Sequence, residues 1–268
     1  MCRRVNMNTP VCGLQGVDSE FWLSGLPAGS FFLLLLCSFL GSLLTASLGV
    51  GGGAFLLTVM AGILPPLALI PLHGIVQLGS NALRATLTRR YLNVRALTFF
   101  ALGALLASVV AVFLVGLLNP VYIPLAVGLF ILWLSWGRVP AVALGQQPAG
   151  LVLGGVLTTL ATMLVGATGP LVSAWLGRRS AGRWEYTAIF SACMTVQHVL
   201  KVVVFGLAGF SYRDYLPLLL VMILCGYLGT RTGLHLLGRI PEAGFRLVFK
   251  WVLTLLAFRL LWLWWVGA

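Results

Sequence analysis

Acidic side chains are what this chain has least of: five Asp and Glu stand against 17 Lys and Arg in 268 residues. Charged residues of both signs make up only 8%, apolar ones 60%, and the mean hydropathy is +1.05. A soluble domain carries roughly a quarter charged residues, so too few are present to cover a water-facing surface. The net charge of +12 does not point to nucleic acid, because the arginines cluster between apolar runs, where basic residues set topology by staying cytoplasmic. Membrane lipid is therefore the surrounding partner. Short alternating segments are also missing, which excludes a membrane β-barrel.

Catalytic and metal signatures are equally sparse. Cys2, Cys12, Cys37, Cys193 and Cys225 are scattered and form no CxxC pair, so neither a disulfide framework nor a metal site can be read from them. There is no HExxH, GxSxG or Walker loop. An intramembrane hydrolase would have only Ser191 or Cys193 near His198. The expectation is a non-enzyme without cofactor or metal.

What is present is a series of apolar runs, most of them near the length of about 20 residues that spans hydrocarbon. They cover Ala28 to Leu48, Ala68 to Thr88, Ala96 to Leu118, Val121 to Gly137, Gly150 to Val165, Trp184 to Leu207, Tyr215 to Leu237 and Phe245 to Val266. Two more, Ala54 to Leu64 and Leu171 to Gly177, are too short to cross upright at 1.5 Å per residue. The fold class expected is an all-α polytopic membrane protein of about eight spans plus short re-entrant or broken helices, built as two inverted repeats. Residues 1–29 form an N-terminal tail, 30–137 the first repeat, 138–149 a connector and 150–268 the second repeat.

The repeat is visible in two places. A glycine cluster, Gly49 to Gly53, interrupts the first half, and Gly166-Ala167-Thr168-Gly169-Pro170 interrupts the second, 117 positions later. At the same offset, Ser80, Asn81 and Arg84 correspond to Gln197, His198 and Lys201. Charge then orients the halves. The loop after the Arg84 run carries Arg89, Arg90 and Arg95, whereas the equivalent second-half loop has only Arg213 beside Asp214. In the second half it is the loop after the short piece that is basic, with Arg178, Arg179 and Arg183. If basic loops stay inside, equivalent loops lie on opposite faces, as in inverted-repeat transporters. All basic loops share one side only if both glycine breaks turn back as hairpins.

These breaks and polar stripes carry the chemistry. Glycine permits the backbone angles a break requires, and non-helical backbone at membrane depth survives only in protein or beside a polar cavity. A half-helix starting there aims free N–H groups at the site; the competing reading is close helix packing through small residues. His73, Gln77, Ser80, Asn81 and Arg84 fall within an arc of about 100° on one helix face. Snorkelling competes for Arg84, since Arg89 is close, but Lys201 is followed by Val202-Val203-Val204-Phe205. No carboxylate lies mid-span to neutralise either cation. Two unpaired cations, amide and hydroxyl donors and two helix N-termini suit an anion. A sodium or other hard-cation site would want carboxylates.

Gly49-x-Gly51-Gly52-Gly53 followed by Gln77-Leu78-Gly79-Ser80-Asn81 and Arg84 resembles the first-half signature of the sulfite exporter TauE/SafE family, and Gly166-x-x-Gly169-Pro170 resembles its counterpart, over roughly residues 30–266. The second copy departs where Gly-x-Gly-Gly is the pattern, with Ala167 and Thr168 present. The resemblance implies a bacterial inner-membrane, multi-pass permease for sulfite, organosulfonates or related small anions. The substrate-binding set expected is Gly51, Gly52, Gly53, Gln77, Ser80, Asn81, Arg84, Gly166, Thr168, Gly169, Gln197, His198 and Lys201. Transport of another small anion such as a carboxylate, or a non-transporting assembly role, are the alternatives, and a homodimer stays open. Side-specific labelling of cysteines placed in Arg89–Arg95 and Arg178–Arg183 tests the topology. Labelling from one face is expected; labelling from opposite faces would rule out the paired hairpins.

Overall fold

The computed structural model describes residues 25–137, 147–176, 182–237, 239 and 242–267. Most of the expected tail and connector, and Arg178 and Arg179, lie outside the described residues. Ten α-helices follow one another among the described residues: α1 (Ala28–Leu48), α2 (Gly52–Ala61), α3 (Pro66–Thr88), α4 (Val94–Val115), α5 (Ile123–Trp136), α6 (Pro148–Val165), α7 (Gly169–Leu176), α8 (Arg183–Leu207), α9 (Leu216–His235) and α10 (Glu242–Val266). Proline and asparagine set several starts. Pro66 opens α3, where its missing N–H costs nothing, and the Asn93 side chain caps α4 by accepting from the Ala96 N–H at 3.0 Å.

Six of the described helices are long and apolar enough to cross a membrane: Ala28–Leu48, Val94–Val115, Pro148–Val165, Arg183–Leu207, Arg213–His235 and Leu247–Val266. The eight spans expected from sequence are therefore not reached. Pro120–Trp136 is a shorter apolar helix. α3 has the length, at 23 residues, but one face is polar and buried, so the bundle rather than lipid surrounds it. The polarity of the molecule is inside out by soluble standards. Phe113 is 74% exposed while Lys201 is 0% exposed, and Phe32, Leu106, Leu220, Phe258 and Trp265 also point outward. Apolar surface on this scale needs lipid around it.

The packing exchanges elements between the two halves. α1 lies on α9 and α6 lies on α4; α9 also touches α3, as α4 touches α8; α3 crosses α8, and α5 pairs with α10. α3 and α8 run antiparallel. Tyr91, just past α3, stacks on Trp184 at the start of α8 with ring centroids 5.7 Å apart, while Gly74 near the other end of α3 meets Lys201. The turn that carries Arg89 and Arg90 and the start of α8 thus share one end of the bundle.

Both short helices double back on the helix before them. α2 returns along α1 with Gly52 against Gly41, so close that a Cβ on Gly52 would lie 1.8 Å from the Gly41 carbonyl oxygen. α7 returns along α6, and Trp175 Nε1 donates to the Gly150 carbonyl at 2.6 Å. The turns rest on glycines with positive φ: Gly49 at 95° and Gly51 at 113° in the first, Gly166 at 87° in the second. Any other L-residue there would be strained.

Candidate functional site

The two breaks are alike in construction. Gly49 ends α1 by donating its N–H to Thr45 O at 3.0 Å, and Gly166 ends α6 by donating to Thr162 O at 3.1 Å. Gly51 and Thr168 then open α2 and α7, their carbonyls accepting the first helical bonds from Phe55 and Val172. The breaks also meet: a Cβ on Gly169 would touch Val50 Cγ2 at 3.5 Å. Two helix N-termini, each with N–H groups that have no acceptor in their own helix, are therefore brought side by side.

Beside them runs the antiparallel crossing of α3 and α8. From α3, His73 Nε2 bonds the Gly53 carbonyl at 2.9 Å, and the Gln77 amide lies against Gly53, where a Cβ would come within 2.3 Å of Nε2. Ser80 donates to Gln77 Oε1 at 3.0 Å and Asn81 to Gln77 O at 2.8 Å. Arg84 donates to Asn81 Oδ1 and sits over the Phe190 ring, 5.5 Å from its centroid. Its Nε is buried without a partner.

The second-half residues are used differently. Lys201 Nζ donates to Thr162 Oγ1 at 3.0 Å and to Gly166 O at 2.6 Å. The lysine thus serves the broken end of α6, whose carbonyls favour a cation, and its stem lies across Gly74. Lys201 thus commits two of its three donors to neutral partners in the fold, whereas Arg84 keeps an unpartnered Nε. Gln197 Nε2 donates to Thr158 and Thr159 hydroxyls at 2.8 and 3.0 Å, its Oε1 remaining unpartnered. Thr168 Oγ1 reaches Thr158 O at 3.4 Å. His198 is fully buried with neither ring nitrogen bonded, its ring 6.1 Å from that of His73.

A cavity of about 550 Å³ opens next to the first break. Its walls include the Gly49–Gly51 backbone, Pro170 and Ser173 of α7, Tyr186 and Thr187 of α8, and Arg183 and Lys250. None of its lining residues among those described is acidic. Of the expected binding set Gly51 alone is among its described lining residues.

Residues 34–260 match the family model described as sulfite exporter TauE/SafE. The chain belongs to the TauE/SafE family. Comparison with curated proteins and with solved structures returned no match. As a TauE/SafE protein it is a multi-pass membrane protein of a transporter family. In this family context the cavity residues Ser173, Arg183, Tyr186, Thr187 and Lys250 are those that sequence reasoning missed. Thr187 could have been found, because the stripe through His198, Thr195 and Ser191 extends back to it at helical spacing. Arg183 and Lys250 look like ordinary topology charges. The bonding of Lys201 carries a prediction. Lys201→Met removes the ammonium from the Gly166 carbonyl, which keeps only the Thr162 hydroxyl at 3.1 Å, and takes away the donor to Thr162 Oγ1, at about 1–3 kcal/mol for a charged hydrogen bond lost. A lowered melting temperature of the purified protein is expected, and an unchanged one would contradict the capping role.

Proposed function

We propose that this TauE/SafE protein is a bacterial inner-membrane permease for a small oxyanion of the sulfite or organosulfonate class. The observation that carries the reading is the cavity at two adjacent helix N-termini with no acidic residue among the described residues of its wall. N–H groups and the positive ends of helix dipoles favour an anion there, and an oxyanion offers several acceptor oxygens to several donors. Gly51, Gly52, Gly53, Thr168 and Gly169 belong to the ends of the broken helices. Gln77, Ser80, Asn81 and Arg84 line the next step of the route, and the free Nε of Arg84 is its attractive charge. Gly166, Gln197 and Lys201 hold the second break in shape, with His198 facing His73 across the crossing.

The same reading makes the halves two inverted repeats, divided near residues 138–149, whose short helices are re-entrant hairpins. Three observations support it: the antiparallel α3 and α8, the exchanged packing of α1 on α9 and α6 on α4, and the doubling back of α2 and α7. Binding sites between such repeats, at broken helices, are the general pattern of secondary transporters. An inside-negative potential then drives an anion outward by about 2.3 kcal/mol per charge per 100 mV, which suits an exporter without a coupling ion.

Proteoliposome flux with sulfite, methanesulfonate, sulfate and acetate, at imposed potentials and with or without a pH gradient, tests this. Sulfur oxyanions should move faster than acetate and follow the potential, and Arg84→Gln should lower their flux by about tenfold or more, the scale of one charge-assisted hydrogen bond. Acetate preferred over all sulfur anions, or full flux in the folded Arg84→Gln protein, would contradict the proposal.

A further inference from the structure

The mouth of the cavity holds groups that neither the glycine breaks nor the polar crossing accounts for. Most hydroxyls in its wall are spent. Ser47 donates to Leu43 O at 2.8 Å, Ser135 to Ile131 O at 2.8 Å, and Tyr186 to Ser173 Oγ at 2.8 Å. Thr187 is different. It lines the cavity, it is buried, and its Oγ1 has no partner. A helical Ser or Thr ordinarily bonds back one turn, as Ser191 does to Thr187 O at 2.6 Å and Thr195 to Ser191 O at 2.7 Å. A buried hydroxyl without a partner, on a residue of a cavity wall, is a donor still to be used.

Two cations line the same cavity. Arg183 is exposed at the rim and Lys250 is half-buried in the wall. The Lys250 ammonium lies 3.6 Å from the centroid of the Trp136 ring. That ring is fixed, because its Nε1 donates to Thr254 Oγ1 at 2.9 Å, and Thr254 in turn donates to the Lys250 carbonyl at 2.8 Å. The manner of holding matters. A carboxylate partner would cancel the lysine's charge and compete with an incoming anion. An indole face attracts the cation through its quadrupole and leaves the formal charge uncancelled, and the flexible stem can still swing. An exposed arginine, a half-buried lysine and a buried hydroxyl thus share one cavity wall with the Gly49–Gly51 backbone.

We propose that Lys250, Arg183 and Thr187 form a separate anion-binding station at the cavity mouth, which captures a small tetrahedral or pyramidal oxyanion before it reaches Arg84. The station rests on the transport reading above for its purpose, though not for its binding chemistry. Trp136 is its positioning residue, holding the ammonium at the wall without touching the anion. A lipid phosphate offers the same oxygens as a free oxyanion, so binding is measured in a phosphate-free maltoside detergent and again in phosphatidylglycerol nanodiscs.

The test titrates methanesulfonate into the purified full chain and, in parallel, measures KM and maximal rate of its flux in proteoliposomes. Lys250→Gln should weaken binding and raise KM by about tenfold, the scale of one charge-assisted hydrogen bond, with maximal rate within about twofold. Lys250→Arg should restore most of the affinity. Thr187→Val, nearly isosteric, should weaken binding several-fold, and it decides the matter should the Lys250 variant not fold. Saturation of the station in nanodiscs but not in detergent would assign it to lipid headgroups and overturn the free-anion proposal. Wild-type affinity in both Lys250→Gln and Thr187→Val would overturn it as well. Absence of flux in a wild-type protein that still binds methanesulfonate through these residues would instead count against the transport reading alone.

Discussion

A backbone polar group left unmet inside hydrocarbon, worth several kcal/mol, is the constraint on which the rest of this structure depends. α1 and α6 stop at Gly49 and Gly166, and each leaves carbonyls behind and N–H groups ahead. The two kinds of group are treated differently. The carbonyl at the second break is answered by the protein, Gly166 O accepting from Lys201 and Thr162. The Gly49–Gly51 backbone, before α2, lies instead in the wall of a cavity with no acidic residue among its described lining residues. Carbonyls satisfied internally and N–H ends beside an open space leave a site biased toward negative charge, and that bias, more than any single side chain, supports an oxyanion permease.

The two buried cations, 117 positions apart in sequence, are used differently. Lys201 is bound up with the end of α6, while Arg84 retains an unpartnered Nε. The guanidinium has five donors in a rigid fork and can serve Asn81 while keeping others free; an ammonium has three and here commits two to Thr162 and Gly166. The arginine half, next to the cavity through Tyr186 and Phe190, keeps donors to spend.

Much of this was legible in the residues. The glycine breaks, the offset between them, the polar stripes, the short helices and the family itself all follow from local pattern and charge. So does the common end of the Arg89–Tyr91 turn and the start of α8. The role of Lys201 was not legible, because Thr162 and the Gly166 carbonyl reach it only when α6 packs beside α8. Lys250 and Trp136 lie more than a hundred residues apart and come together only through the pairing of α5 with α10. The six helices counted by length and apolarity differ from the eight spans expected for a related reason. Apolar length identifies a helix facing lipid, whereas α3 is enclosed by protein and can be polar along one face.

The most direct measurement of the central claim is anomalous diffraction from crystals of the full chain grown with 2-bromoethanesulfonate. The account predicts a bromine peak inside the cavity bounded by Gly49–Gly51, Ser173 and Thr187, with the sulfonate against the backbone N–H groups. A peak confined to the lipid-facing surface, or a cavity left without one while the anion is being transported, would contradict it.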